Sequence, residues 1–234
     1  MDVTKIAAEG MQQDLLRMQS ISQNIANVLT PGYKRQIAAQ QGFSVQVEKG
    51  LAVQPGSTID ARAGTMRFTG LQTDVAVEGE AFFEVATPDG PRYTRQGALR
   101  VDAGGRLVGA NNFPIMGSSG DIVLAGGPFT VDSSGQVFQD GRVAGQLKLV
   151  YFREAQRLEP VGSGMYAQGG ASLETAAATV AARVRSGYLE NSNVDNAREM
   201  VSLTETVRHF EALHRISQGY DEVLGSAIRK LGEF

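Results

Sequence analysis

The chain has 234 residues, 28 of them glycine, no cysteine, no tryptophan and a formal net charge of −3. Without cysteine, disulfides, thiolate nucleophiles and thiolate metal sites are excluded. The near balance of 22 basic and 25 acidic residues leaves no footprint for nucleic acid, and no run approaches the roughly 18 apolar residues of a membrane span.

Residues 2–30 predict an amphipathic helix. Taken in alternating steps of four and three, Thr4, Ala8, Met11, Leu15, Met18, Ser22, Ile25 and Leu29 form one stripe, with Gln12, Asp14, Arg17 and Gln19 off it. Thr30-Pro31-Gly32 stops the helix, because proline disfavours α geometry in the residue before it and glycine permits a turn. Asn24 and Asn27 lie close to that turn, where they could satisfy backbone groups or simply be polar residues at a helix end. The first residues lack the apolar core of a secretory signal, so no cleaved export signal is expected.

Residues 36–186 read as a β domain. Short strand-like runs alternate with turn signals: Phe82-Phe83-Glu84-Val85 before Pro88-Asp89-Gly90, and 146–152 after Asp140-Gly141. Val101-Asp102-x-x-Gly105-Arg106-Leu107-Val108 is echoed 30 residues later by Val131-Asp132-x-x-Gly135-Gln136-Val137-Phe138, which predicts two hairpins of one kind. The Gly/Ala-rich stretch near 160–180 reads as a loop or linker.

A second helix is expected over about 190–231. Asn191, Ser192 and Asn193 are good cap types. Met200, Leu203, Val207, Phe210, Leu213, Ile216, Tyr220, Leu224, Ala227 and Leu231 then recur at a mean step of about 3.4, near the 3.5 of a heptad seam. Gly219 and Gly225 are points at which it could bend. The fold class is therefore α+β: a helical terminal domain of 1–35 plus 187–234, with the β domain inserted.

A lone amphipathic helix is marginal in water. The simplest arrangement pairs the two helices as a coiled coil and leaves surplus apolar surface for neighbouring subunits. The alternative is that both pack on the β domain. Met11, Leu15, Met18, Ile25, Met200, Leu203, Val207, Phe210, Tyr220 and Leu224 are the candidate assembly residues.

Little else suggests chemistry. His209 and His214 are five apart, about 140° on a helix, so they cannot share a metal on one face. The glycine pairs follow no phosphate-loop pattern, and no nucleophile motif occurs. No catalytic residue, cofactor, metal or small-molecule substrate is expected.

Ser22-Gln23-Asn24-Ile25-Ala26-Asn27-Val28-Leu29-Thr30-Pro31-Gly32-Tyr33-Lys34-Arg35 closely resembles the N-terminal signature of the bacterial flagellar rod and hook axial proteins. Gly187-Tyr188-Leu189-Glu190-Asn191-Ser192-Asn193-Val194 resembles their C-terminal segment. Between them, residues 73–79, Phe82-Phe83 and Tyr93-Thr94-Arg95-Gln96-Gly97-Ala98 resemble the family core. The resemblance adds Asn24, Asn27, Pro31, Gly32, Tyr33, Leu189, Ser192, Asn193 and Val194 to the candidate assembly residues. It implies a structural subunit whose terminal helices line an export channel inside the basal-body rod. Its partners would be copies of itself, other rod proteins and the flagellar type III export apparatus. The length argues for rod over hook. The departure at Gln36-Ile37-Ala38-Ala39-Gln40-Gln41-Gly42-Phe43, with Arg208-His209-Phe210-Glu211, points to the proximal rod, the distal rod or hook being the alternative. From a different class, a β-domain binding or adhesion module with a helical stalk would share the layout.

Overall fold

The computed structural model describes residues 3–38, 57–174 and 183–231. Residues 39–43 of the segment that departs from the distal-rod pattern lie outside the described residues, as does the latter part of the Gly/Ala-rich stretch. The chain divides into two compact units, one comprising 1–26, 37–56 and 195–234, the other 27–36 and 57–194. The boundaries expected at 35/36 and 186/187 fall inside the second unit.

Among the described residues the first unit holds two helices. Helix α1 spans Val3–Ala26 and helix α2 spans Asn196–Leu231. The 36 residues of α2 make it about 54 Å long at 1.5 Å per residue, and it runs unbroken through Gly219 and Gly225. Its cap is Asp195, whose Oδ1 accepts the Arg198 N–H at 3.2 Å. Asn191, Ser192 and Asn193 lie upstream and are used elsewhere. No helix among the described residues is long and apolar enough to cross a membrane.

The second unit is β-rich. In chain order the strands of the chain are β1 (Gln36–Ala38, of which only Gln36 falls in this unit), β2 (Ser57–Ile59), β3 (Met66–Phe68), β4 (Val75–Glu78), β5 (Phe82–Thr87) and β6 (Gly90–Thr94). Then come β7 (Arg100–Val101), β8 (Leu107–Val108), β9 (Met116–Gly117), β10 (Gly120–Asp121), β11 (Thr130–Val131), β12 (Gln136–Gln139) and β13 (Arg142–Gln146). The last are β14 (Leu149–Phe152), β15 (Glu159–Gly162), β16 (Met165–Ala167), β17 (Leu173–Glu174), β18 (Arg183–Ser186) and β19 (Tyr188–Glu190). A six-stranded sheet in the order β15-β16-β6-β5-β14-β17 forms the centre. Its edges are β15, which contains Pro160, and the two-residue β17. Late strands return to early ones: β18 pairs antiparallel with β4, and β19 with β3.

Two apolar cores result. Phe83, Val85, Leu107, Ile115, Val137 and Leu147 belong to one. Ile59, Phe82, Tyr93, Phe152, Leu158 and Tyr166 belong to the other, with Tyr93 and Phe152 edge-to-face at 4.7 Å.

The echoed segments are the same loop built twice. Asp102 Oδ1 accepts the N–H groups of Gly104 and Arg106 at 2.8 Å each. Asp132 Oδ1 accepts those of Ser134 and Gln136 at 2.8 and 2.9 Å. Gly105 and Gly135 take φ of 81° and 83°, which L side chains rarely adopt. Both carboxyls sit below the usual aspartate range: the largest cause is the Arg106 backbone N–H for Asp102 and the Ser134 hydroxyl for Asp132.

Two expectations differ from the structure. The run 146–152 is divided, because Leu147 and Lys148 donate their N–H groups to Gly135 and Met116 carbonyls instead of continuing one strand. The stretch near 160–180 contributes β15, β16 and β17. Gly164, Gly169 and Gly170 occupy turns while Tyr166, 1% exposed, fills core space. Composition registered the turns and not the strands between them.

Candidate functional site

Three of the family-like segments meet inside the β-rich unit. Lys34, Arg95 and Glu190 come from positions far apart in sequence, and each is at most 2% exposed. Lys34 Nζ lies 2.6 Å from Glu190 Oε1 and donates to the Arg62 carbonyl at 2.8 Å. The Gly64 N–H donates to the same Oε1 at 2.8 Å. Arg95 Nε approaches Glu190 Oε2 at 3.0 Å as an ion pair without hydrogen-bond alignment. The Arg95 guanidinium also donates to the Ala81 carbonyl, and to the Gly79 carbonyl at 2.5 Å. It lies 5.4 Å from the Phe82 ring centroid. The Lys34 N–H donates to Tyr166 Oη at 2.7 Å.

Two buried cations thus share one carboxylate. Burial is the largest influence on each cation: it pushes the Lys34 ammonium down from its ordinary value, opposed by the Glu190 charge, and pushes Arg95 down likewise. Burial pushes the Tyr166 phenol up.

Backbone contacts close the same clasp. The Gly32 N–H donates to the Glu190 carbonyl at 2.7 Å, and the Asn193 N–H to the Tyr33 carbonyl at 3.4 Å. Asn193 Oδ1 accepts the Arg35 N–H at 2.7 Å, while its Nδ2 donates to the Asp60 and Arg62 carbonyls at 2.8 and 2.9 Å. Gly32 has φ of +69°, and a Cβ there would lie 2.4 Å from the Arg95 carbonyl carbon. A Cβ on Gly64 would lie 1.9 Å from the Asn191 carbonyl oxygen. Neither position has room for a side chain.

Tyr166→Phe tests this arrangement through pH. The variant leaves the buried Lys34 N–H without its acceptor, a loss of about 1–3 kcal/mol near neutrality. The folded phenol holds its proton above the ordinary value of 10.0, so its contribution is full below pH 10 and is lost as pH climbs beyond it. Urea titrations are expected to show the stability gap between wild type and variant narrowing above pH 10. A constant gap would exclude the role.

The sequence-predicted residues separate between the two units. In the β-rich unit, Gly32, Tyr33, Leu189 and Val194 are buried, and Asn27, Pro31, Ser192 and Asn193 are half-buried. Thr30 Oγ1 donates to Asn27 Oδ1 at 3.1 Å. Lys34, Arg95 and Glu190 were not among the candidates. The signal was charges of both signs placed inside three motif segments.

In the helical unit, α1 packs against α2. Asn24, fully buried, donates through Nδ2 to Glu199 Oε2 at 3.1 Å. Asp14 Oδ2 lies 2.7 Å from His209 Nδ1. Leu213 lies over Gly10, where a Cβ would be 2.7 Å from Leu213 Cδ1. The buried positions of α1 are Ala7, Asp14, Ile21 and Asn24. Each precedes by one residue a position on the predicted stripe. Met11, Met18 and Ile25 are consequently half-buried and Leu15 is 54% exposed. On α2, Glu199 and Thr206 are buried, Leu203, Phe210, Leu213 and Tyr220 half-buried, and Met200 and Val207 exposed. The side chain of Leu224 lies outside the described residues.

Residues 76–144 match the family model of the flagellar hook protein FlgE/F/G D1 domain. Residues 185–230 match that of the flagellar basal body rod FlgEFG protein C-terminal region. The chain is 31% identical to the flagellar basal-body rod protein FlgG of Buchnera aphidicola subsp. Acyrthosiphon pisum, covering 94% of this chain and 95% of the relative. It is 29% identical to FlgF of Escherichia coli, covering 97% of each, and 28% identical to FlgF of Caulobacter vibrioides, covering 91% of each. These similarities lead to one conclusion: the chain belongs to the flagellar basal-body rod protein family that includes FlgF and FlgG, and it is a structural subunit of the rod, not an enzyme.

Proposed function

We propose that the chain is a proximal rod subunit that polymerises through α1 and α2, held as a coiled coil, around the channel used by the flagellar type III export apparatus. The observation that carries the polymerisation is the apolar surface on the two helices. Leu15, Met200, Val201, Ile216, Val223 and Ile228 are each more than half exposed. A soluble helix pair rarely leaves so many large apolar side chains in water unless another surface covers them. The half-buried and buried positions of α2, stepping by four and three from Glu199 through Leu203, Thr206, Phe210 and Leu213 to Ser217 and Tyr220, have the spacing of a coiled-coil seam. The proximal position is supported by the sequence at Gln36-Ile37-Ala38-Ala39-Gln40-Gln41-Gly42-Phe43 and by Arg208-His209-Phe210-Glu211.

Leu15→Asp separates assembly from folding. Because Leu15 is exposed on α1, the variant is expected to melt within a few degrees of wild type. Its self-association by light scattering and the motility of cells carrying it are expected to be lost. Cells that swim normally with intact rods would remove the basis of the proposal. For the position, basal bodies from cells lacking the protein are expected, in electron micrographs, to lack the rod from its cell-proximal part outward.

A further inference from the structure

The seam between α1 and α2 is not where apolar burial alone would place it. Met11, Leu15, Met18 and Ile25 form the apolar line of α1, yet the buried line runs through Ala7, Asp14, Ile21 and Asn24. One residue along a helix is a rotation of about 100°. Something turns α1 so that a carboxylate and a carboxamide face α2 while Leu15 faces out.

We propose that the pairs Asp14–His209 and Asn24–Glu199 set the rotation and register of α1 on α2, and so decide which apolar face is left for a second copy. Three contacts support a single register. From Asn24 back to Asp14 is ten residues, as is Glu199 on to His209. From Asp14 back to Gly10 is four, as is His209 on to Leu213. All three therefore belong to one unshifted antiparallel alignment. A buried polar group costs free energy unless it meets its partner, so a rotation that separates these pairs is penalised even when it buries more apolar area. Polar pairs of this kind fix register and partner in helical assemblies. Glu199 and Asn24 are both fully buried; in the second pair Asp14 is 6% exposed and His209 is exposed, so there the penalty falls on the carboxylate. The other polar side chains near the seam, Arg17, Ser20 and Ser202, are half-buried, whereas Thr206 is buried with its hydroxyl donating to the Ser202 carbonyl at 2.7 Å.

This inference deepens the assembly reading and rests on it only for the identity of what covers Leu15; the rotation itself is read on the monomer. The absence of cysteine allows single thiol reporters in the full-length protein. L15C and I21C are compared for maleimide labelling, at a dilution that light scattering shows to be monomeric. With both polar pairs intact, L15C is expected to label at least tenfold faster than I21C. With Asp14, Asn24, Glu199 and His209 all changed to alanine, the order is expected to reverse, because α1 turns its apolar line inward. An unchanged order would mean that the pairs follow the rotation instead of setting it, and would overturn the proposal. Equal rapid labelling at both positions in either background would also overturn it, since the pairs would then not orient a seam. None of these outcomes bears on the motility of L15D cells, which tests assembly separately.

Discussion

Glu190→Ala is expected to destabilise the β-rich unit by about 3–5 kcal/mol, the range for removing one partner of a buried ion pair. Two cations depend on this one carboxylate, Lys34 at 2.6 Å and Arg95 at 3.0 Å. The Gly64 N–H loses its acceptor as well. With the side chain gone, both positive charges stay buried against the Arg62, Ala81 and Gly79 carbonyl oxygens and the Phe82 ring. Lys34→Met is expected to cost clearly less. It removes the surplus cation and leaves Arg95 and Glu190 as a one-to-one pair, while the aliphatic stem can still fill the space. Guanidinium chloride unfolding of the three proteins, followed by near-ultraviolet circular dichroism, gives the comparison. If Lys34→Met proves as damaging as Glu190→Ala, the imbalance of charge is not what makes Glu190 important, and the ammonium contacts matter in their own right.

A fragment of residues 27–194 is expected to unfold in one cooperative transition, whereas residues 36–186 are expected not to reach a native state. The shorter piece ends where sequence punctuation suggests, but it lacks Tyr33, Lys34, Glu190 and Asn193. Arg95 would then be buried without a carboxylate, Tyr166 Oη would lose the Lys34 N–H, and β3 would lose its partner β19. Gly32 and Asn193 would no longer close the backbone contacts across the clasp. An uncompensated buried charge combined with an unpaired strand exceeds what a marginally stable domain can absorb, at total stabilities of about 5–15 kcal/mol. Proton NMR dispersion and a denaturant midpoint decide the matter. A well-dispersed, cooperative 36–186 fragment would show that the clasp is dispensable for folding.

What could be read from sequence was local. The stop after α1, the turn at 88–90 and the paired Asp-x-x-Gly loops were legible because proline, glycine and aspartate act on the residues beside them. The length of α2 was legible from its period, although its cap moved to Asp195 because Asn193 is occupied with Asp60, Arg62 and Arg35. The family was legible because its motifs are spread in order along the chain. The clasp was not, because nothing near Lys34 announces that Glu190 will be its partner. That pairing is created by late strands folding back on early ones. The seam was misplaced by one residue for a related reason. Periodicity weights apolar side chains, whereas Asp14 and Asn24 are made acceptable in a buried position by groups such as His209 and Glu199 on the other helix.

The edges of the central sheet carry a consequence for a protein whose copies crowd together. An exposed row of backbone donors and acceptors is a template for uncontrolled strand addition. Here one border strand contains Pro160, which has no N–H to offer, and the other is Leu173–Glu174 among the described residues. Among those residues neither border presents a long ladder to a neighbour. Sheets are thereby discouraged from fusing into fibrils, and contacts between subunits are left to side chains, whose chemistry can distinguish one neighbour from another.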